Sequence, residues 1–172
     1  MPPKDERMFR TLFIGALLCT ACTRQIHPST MADLTIPFET HPNQSLTYRE
    51  IIACYEKMAA AYPKVLRLTT MGSTDSGEPL HVAVLSKNGE FDPVKLRRSG
   101  QRILLINNGI HPGEPEGIDA TILLLRDYLT KPELQASLEN LVIVFIPVYN
   151  VDGCLNRNSF SRANQDGPEA YG

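Results

Sequence analysis

The chain has no tryptophan and only 7% aromatic residues, so it offers no platform on which nucleobases could stack. It has no surplus of positive charge either. The formal net charge is −2, and no basic field invites nucleic acid. Cysteines number four, and the one pair with the spacing of a metal knuckle, Cys19 and Cys22, sits in an apolar leader and makes no such knuckle. Cys54 and Cys154 could pair in an oxidising compartment, a question of distance that the sequence leaves open. No apolar run is long enough to span a bilayer as a stable helix. Internal repeats and low-complexity tracts are absent. What remains is an ordinary globular composition, 42% hydrophobic and 21% charged over 172 residues, about one domain's worth.

The start of the chain has a logic of its own. Lys4, Arg7 and Arg10 precede the short apolar stretch TLFIGALLCTAC, and a basic start, an apolar centre and a small-residue end predict a secretory signal over residues 1–22. Translation from Met8 would leave Arg10 as the basic residue of the same pattern. Leu18-Cys19-Thr20-Ala21-Cys22 loosely resembles a bacterial lipoprotein cleavage site, with Cys22 as the acylated residue and Cys19 where an aliphatic one is usual. The competing reading is a buried N-terminal helix. A signal predicts export, to the periplasm or, through lipid on Cys22, to a membrane surface facing outside the cytoplasm. Residues 23–44 are polar and proline-containing and read as a linker.

From residue 45 onward the pattern becomes regular. Thr47 and Glu50 form a capping-box pair, Ile51, Tyr55, Met58, Ala59 and Tyr62 recur at helical spacing, and Pro63 closes the segment. VLRLTTMG and LHVAVLSKNGEF, separated by the turn residues STDSGEP, predict a hairpin with His81 in its second strand, packed or half-exposed. DPVKLRRSG predicts a short helical turn. RILLINNG is apolar nearly throughout, as a centrally buried strand would be. EPEGIDATILLLRDYLTK predicts a helix with Ile118, Ile122, Leu125 and Leu129 on one face, PELQASLEN a second short one, and LVIVFIPVYN another apolar strand. The fold class is therefore α/β: an open mixed, mostly parallel sheet with flanking helices and an antiparallel hairpin at its edge. The last stretch, NVDGCLNRNSFSRANQDGPEAYG, is polar and glycine-rich with no closing element, and predicts the front part of a longer protein.

Ligand sites in open α/β sheets lie beyond the carboxyl ends of the strands. RILLINNG delivers His111 and Glu114 there, and LVIVFIPVYN delivers Asn150, Asp152 and Gly153. If the two strands are parallel, both loops face one crevice. Imidazole and carboxylate together suit zinc, and the Pro112-Gly113 turn lets both side chains point to one centre. On spacing alone a polar strand-to-helix loop competes with this, Glu114 and Glu116 then serving the helix start.

Several ordered segments resemble the zinc carboxypeptidases, the family of carboxypeptidases A and B. GIHPGEPEG resembles the family's metal-binding segment, MGSTDSGEPLHVAVLS its early strand–turn–strand, PVYNVDG its Pro-x-x-Asn-x-Asp-Gly segment, and SRANQDGPEAYG the loop that follows in bacterial members. The resemblance covers about residues 45–172 and implies the N-terminal part of a catalytic domain. It implies that His111 and Glu114 are the first two ligands of Zn²⁺. Arg162 is implied as the arginine that contacts substrate and stabilises the oxyanion, with Arg157 as the second choice and a solvated loop charge as the alternative for both. Asn150 and Asp152 look structural, holding the loop through hydrogen bonds to backbone.

The same resemblance implies a third zinc ligand and a glutamate base for which no matching position occurs before Gly172. Asn156-Arg157 spells the dipeptide of the family's carboxylate anchor but lies too close to NVDG to be it. His27, His41 and His81 sit in no matching context. The implied activity is release of the C-terminal residue from a peptide or protein by zinc-activated water, with this chain alone inactive. Two other readings stay open: a zinc-dependent deacylase of the same fold, and a secreted binding module or pseudo-enzyme without catalysis.

Overall fold

The computed structural model describes residues 34–158 and 170–171. In chain order the elements are α1 (Pro37–Thr40), β1 (Gln44–Ser45), α2 (Tyr48–Ala61), β2 (Leu66–Ser73), β3 (Pro79–Leu85), α3 (Pro93–Arg98), β4 (Arg102–Asn107), α4 (Glu116–Thr130), α5 (Pro132–Gln135) with a 3-10 turn at Ala136–Leu138, β5 (Leu141–Ile146), α6 (Val151–Leu155) and β6 (Ala170–Tyr171). The main sheet has the order β2-β3-β5-β4, and β1 pairs with β6 in a separate two-stranded ladder.

The expected hairpin is present. β2 and β3 pair antiparallel from Leu66↔Leu85 to Thr70↔His81, with a bulge before Ser73. β3 pairs antiparallel with β5, while β4 pairs parallel with β5 from Arg102↔Leu141 to Asn107↔Ile146. The mixed α/β architecture thus holds, and the parallel character of the described sheet resides in the β4–β5 pair. That pair is connected through α4, the helical crossover that parallel neighbours require.

Two helices supply the core. Thr47 Oγ1 accepts from the Glu50 amide at 3.2 Å while the Glu50 carboxylate accepts from the Thr47 amide at 2.8 Å, so the capping box starts α2, a device worth about 1 kcal/mol. Ile51, Tyr55 and Met58 of α2 are fully buried against Ile118, Ile122 and Leu125 of α4 and against Leu85, Ile143 and Phe145 of the sheet. Each such side chain contributes about 1.5–3 kcal/mol by leaving water. Ala59 and Tyr62 pack partly buried at the margin.

Three expectations need correction. RILLIN does not sit centrally buried. Among the described residues β4 is the outer strand, and Ile103, Leu104 and Leu105 are 47%, 46% and 55% exposed. Apolarity on both faces signals a strand that favours cover on both, but β5 lines only one edge of β4, and no described element shields these side chains. The buried central strand is β5, flanked by β3 and β4, with Val142, Ile143 and Phe145 inside.

The segment expected as linker is not wholly extended tether either. From Leu34 onward it is folded onto the core: Leu34 and Ile36 are buried, and the Arg126 guanidinium of α4 donates to the Leu34 carbonyl and, at 3.0 Å, to both Glu39 oxygens. That arginine holds the Glu39 carboxyl below its usual range. Finally, the polar stretch after β5 opens with a short helix, α6, whose N-cap Asn150 accepts from the Gly153 amide at 3.0 Å.

Candidate metal centre

The turn after β4 is built by its backbone. Asn108 continues the ladder by donating to the Ile146 carbonyl at 3.1 Å, and its buried side chain donates to Thr121 Oγ1 at 2.9 Å. Gly109 has φ +60, and a Cβ there would meet Val148 Cγ1 at 3.2 Å and Ile118 Cδ1 at 3.3 Å, so both conformation and space require glycine. From the β5 side, the amides of Tyr149 and Asn150 donate to the carbonyls of Asn108 and Gly109 at 2.8 and 3.0 Å, and Asn150 Nδ2 reaches the Ile110 carbonyl at 3.4 Å. The two loops therefore share one crevice, as parallel pairing of β4 and β5 predicts.

On this braced turn the Glu114 amide donates to the His111 carbonyl at 3.2 Å, closing the loop around Pro112-Gly113. The side chains converge, with His111 Nδ1 and Glu114 Oε2 3.0 Å apart and 45% and 35% exposed. The two atoms are in direct hydrogen-bond contact, and together they offer one borderline nitrogen and one hard oxygen, the donor set that suits zinc. Solvent access leaves room for further ligands. Among the described residues no group of three histidine, cysteine or carboxylate side chains forms. His111 and Glu114 fit as two ligands and no more.

The neighbouring residues are structural. Asp152 accepts from Thr74 Oγ1 at 2.7 Å and from the Ser76 amide at 3.3 Å, fastening the β2–β3 turn to the loop after β5. A cleft of about 330 Å³ lies between them, lined by Thr74, Leu80, Ile110, Tyr149 and Asn150 among others. Arg157, the second choice for a functional arginine, donates to Ser45 Oγ at 2.9 Å and to the Leu46 carbonyl, and so ties the post-β5 segment to β1. Arg162, Cys22 and His27 lie outside the described residues. His81 is half-buried in β3, with Nδ1 3.2 Å from the Tyr48 hydroxyl, and burial lowers its pKa. His41 sits beyond α1 in a contact with Thr40 Oγ1. Cys54 and Cys154 are free thiols, and burial raises both pKa values.

One carboxylate escaped the sequence reading. Asp119, on the second turn of α4, is 4% exposed, and its Oδ1 has no hydrogen-bond partner among the described residues. Burial pushes its pKa up to about 6; nearby Arg157 opposes this and Glu116 adds to it. Its only sequence signal is position: it stands three residues before Ile122 of the buried face.

A family model described as zinc carboxypeptidase matches residues 51–169. No curated protein matches the chain. Among solved structures the fold is similar to bovine thrombin-activatable fibrinolysis inhibitor in complex with tick carboxypeptidase inhibitor, at 21% identity over 70% of this chain and 36% of that one, with a TM-score of 0.54. It is also similar to carboxypeptidase A from Helicoverpa armigera (18% identity, 66% and 26% covered, TM-score 0.55) and to a metallo-carboxypeptidase from Burkholderia cenocepacia (16%, 64% and 28%, TM-score 0.52). The chain thus spans 26–36% of the length of these structures.

Proposed function

The chain belongs to the zinc carboxypeptidase family, and from that premise we propose that residues 45–172 form the N-terminal part of a catalytic domain that hydrolyses the C-terminal bond of a peptide or protein. The observation that carries this reading is the convergence of His111 Nδ1 and Glu114 Oε2 to 3.0 Å on a turn braced from both strands. These two side chains would hold Zn²⁺, which when bound supplies an activated water and a Lewis acid for the peptide carbonyl. Arg162 opposes the negative charge that develops on the carbonyl oxygen and contacts the substrate. The cleft bounded by Tyr149, Asn150 and the Thr74 turn adjoins the loop that carries these ligands. Residues 1–22 direct export, and Cys22 is the site of a lipid anchor that holds the enzyme at a membrane surface outside the cytoplasm.

Titration calorimetry with zinc tests the reading at its base. Two incompletely held ligands give measurable but loose affinity, because water fills the remaining positions, and His111→Ala lowers that affinity. Equal affinity in the two proteins overturns the ligand assignment.

A further inference from the structure

Charge is unevenly shared between the two ends of the main sheet. The end that carries the His111–Glu114 pair also gathers Asp75 and Glu78 of the β2–β3 turn, Glu116 at the start of α4 and Asp152 after β5. The opposite end, where β4 and β5 begin, is basic. Lys95, Arg97 and Arg98 stand in the last turn of α3, and Arg102 opens β4. The Gln101 amide donates to the Leu96 carbonyl at 3.2 Å and the Arg102 amide to the Asn140 carbonyl at 3.0 Å, which sets the start of β4 against the end of the helix. At a rise of about 3.3 Å per residue, β4 holds the two ends about 20 Å apart.

The basic end is more than a helix terminus. Leu96 is buried and seats α3 on the body, while Val94, Arg97 and Arg98 are open to solvent, Val94 by 56%. The nearby acids are already engaged. Glu90 pairs with Lys95 at 3.4 Å, Glu139 pairs with Lys87, and Asp92 caps α3 by accepting from the amides of Val94 and Lys95 at 2.8 and 3.1 Å. Among the described residues no carboxylate pairs with Arg97, Arg98 or Arg102. A helix favours cations in its last turn, which accounts for Arg97 and Arg98 but not for Arg102, a strand residue. All three are exposed, as suits a broad anionic surface rather than a small enclosed ligand.

We infer that this end of the molecule is a docking face for an anionic phospholipid bilayer. Arg97, Arg98 and Arg102 meet lipid phosphates, and Val94 enters the headgroup layer beside them. Each basic side chain within about a Debye length of an anionic leaflet adds to the attraction, and no shaped pocket is needed. The formal net charge of the chain is −2, so the surface does not attract the molecule as a whole. It orients it, with the basic end toward the lipid and the acidic end away. The cleft beside Ile110 and the His111–Glu114 pair then stay open to solvent. The contact belongs to the folded body, so it depends neither on acylation of Cys22 nor on the zinc reading.

The test is co-sedimentation of the 172-residue chain with vesicles of phosphatidylcholine alone or with one part in three phosphatidylglycerol, in EDTA. Lys4, Arg7 and Arg10 are replaced by glutamine in every protein, so that the apolar leader adds no cationic side chain of its own to the contrast. Partitioning onto the anionic vesicles is expected to exceed that onto the neutral ones about tenfold or more at low salt, and the excess to vanish in about 0.5 M NaCl. Arg97→Gln with Arg98→Gln removes most of the excess, and Arg102→Gln removes part of it. Arg97→Lys with Arg98→Lys keeps it, because a diffuse field asks for charge and not for a guanidinium fork. Arg49→Gln with Lys57→Gln, an equal loss of charge from exposed positions of α2, leaves it unchanged. If the Arg97 and Arg98 double variant does not fold, Val94→Glu on the same exposed helix carries the test. Equal partitioning onto both vesicles, equal loss in the two Gln double variants, or binding of soluble polyglutamate without binding of anionic vesicles overturns the inference.

Discussion

The Thr74 hydroxyl donates to Asp152 Oδ1 at 2.7 Å across 78 positions of sequence. With the Ser76 amide on the other oxygen at 3.3 Å, this one carboxylate binds the hairpin turn to the loop after the central strand. The wall of the cleft beside Ile110 is set by that contact. Removing a partner of a charged hydrogen bond costs about 1.5–3 kcal/mol. Asp152→Ala is therefore expected to lower the urea midpoint with an unchanged m-value, while Asp152→Asn, which still accepts from Thr74, loses less. An Asp152→Ala protein as stable as the parent would show the clamp to be incidental.

Asp119 gives a pH dependence whose sign can be worked out. Its folded pKa is raised to about 6 from an ordinary 3.8, chiefly by burial. The folded state then prefers the protonated acid, so ionisation destabilises it. Stability contributed by this group is greatest below the unfolded pKa and declines as pH rises from about 4 through 6. Glu39 and Glu50 act oppositely. Their folded pKa values are lowered, by Arg126 and by the Thr47 cap respectively, and their contribution is lost as pH falls through the folded values. Asp119→Asn isolates the first effect. Measured by urea unfolding between pH 4 and 7.5, the variant gains stability over the parent as pH rises, on the order of 1 kcal/mol. A pH-independent difference removes Asp119 from the account.

Much of this was legible in the sequence because local chemistry and tertiary packing agree. Thr47 and Glu50 cap the helix that their spacing announces, and Ile118, Ile122, Leu125 and Leu129 bury the face their period defines. The approach of His111 to Glu114 was legible because the Pro-Gly turn between them folds the chain back on itself. What failed was reading two-sided apolarity as burial. RILLIN and LVIVFI look alike in composition, yet one is the outer strand and the other the centre. Composition describes the environment a strand favours, whereas strand order is fixed by non-local pairing. Leu34 and Ile36 were missed because two apolar residues among prolines carry no period, and Asp119 because an acid next to a buried stripe looks like a solvated one.

The β4 edge yields a prediction about solution behaviour. Ile103, Leu104 and Leu105 expose both faces of a strand whose second edge is unpaired among the described residues and can template pairing with another chain. The 172-residue chain is expected to self-associate as concentration rises. Leu104→Lys places a charge on that strand and is expected to shift light-scattering mass toward the monomer. Because Leu104 is already 46% exposed, thermal stability should change little. A chain that stays monomeric at high concentration, with a sharp cooperative transition, would show that the edge is not adhesive.

Catalysis separates the remaining readings. Carboxypeptidase chemistry needs a metal held by three protein ligands, a general base and an anchor for the substrate carboxylate. The described residues supply two convergent ligands, His111 and Glu114, and no group of three. Loss of a base alone would lower rates by about 10²–10⁴, or about 3–5 kcal/mol of barrier, and a metal held by only two protein ligands would be retained weakly. The 172-residue chain is therefore expected to release no detectable C-terminal residue from peptides, even with added zinc. A longer chain that adds the third ligand and the base should do so, with loss of activity on chelation and on Glu114→Ala. Cleavage of acylated amino acids in place of peptides would assign the centre to a deacylase while leaving the two ligands in place. Turnover by the 172 residues themselves would overturn that expectation.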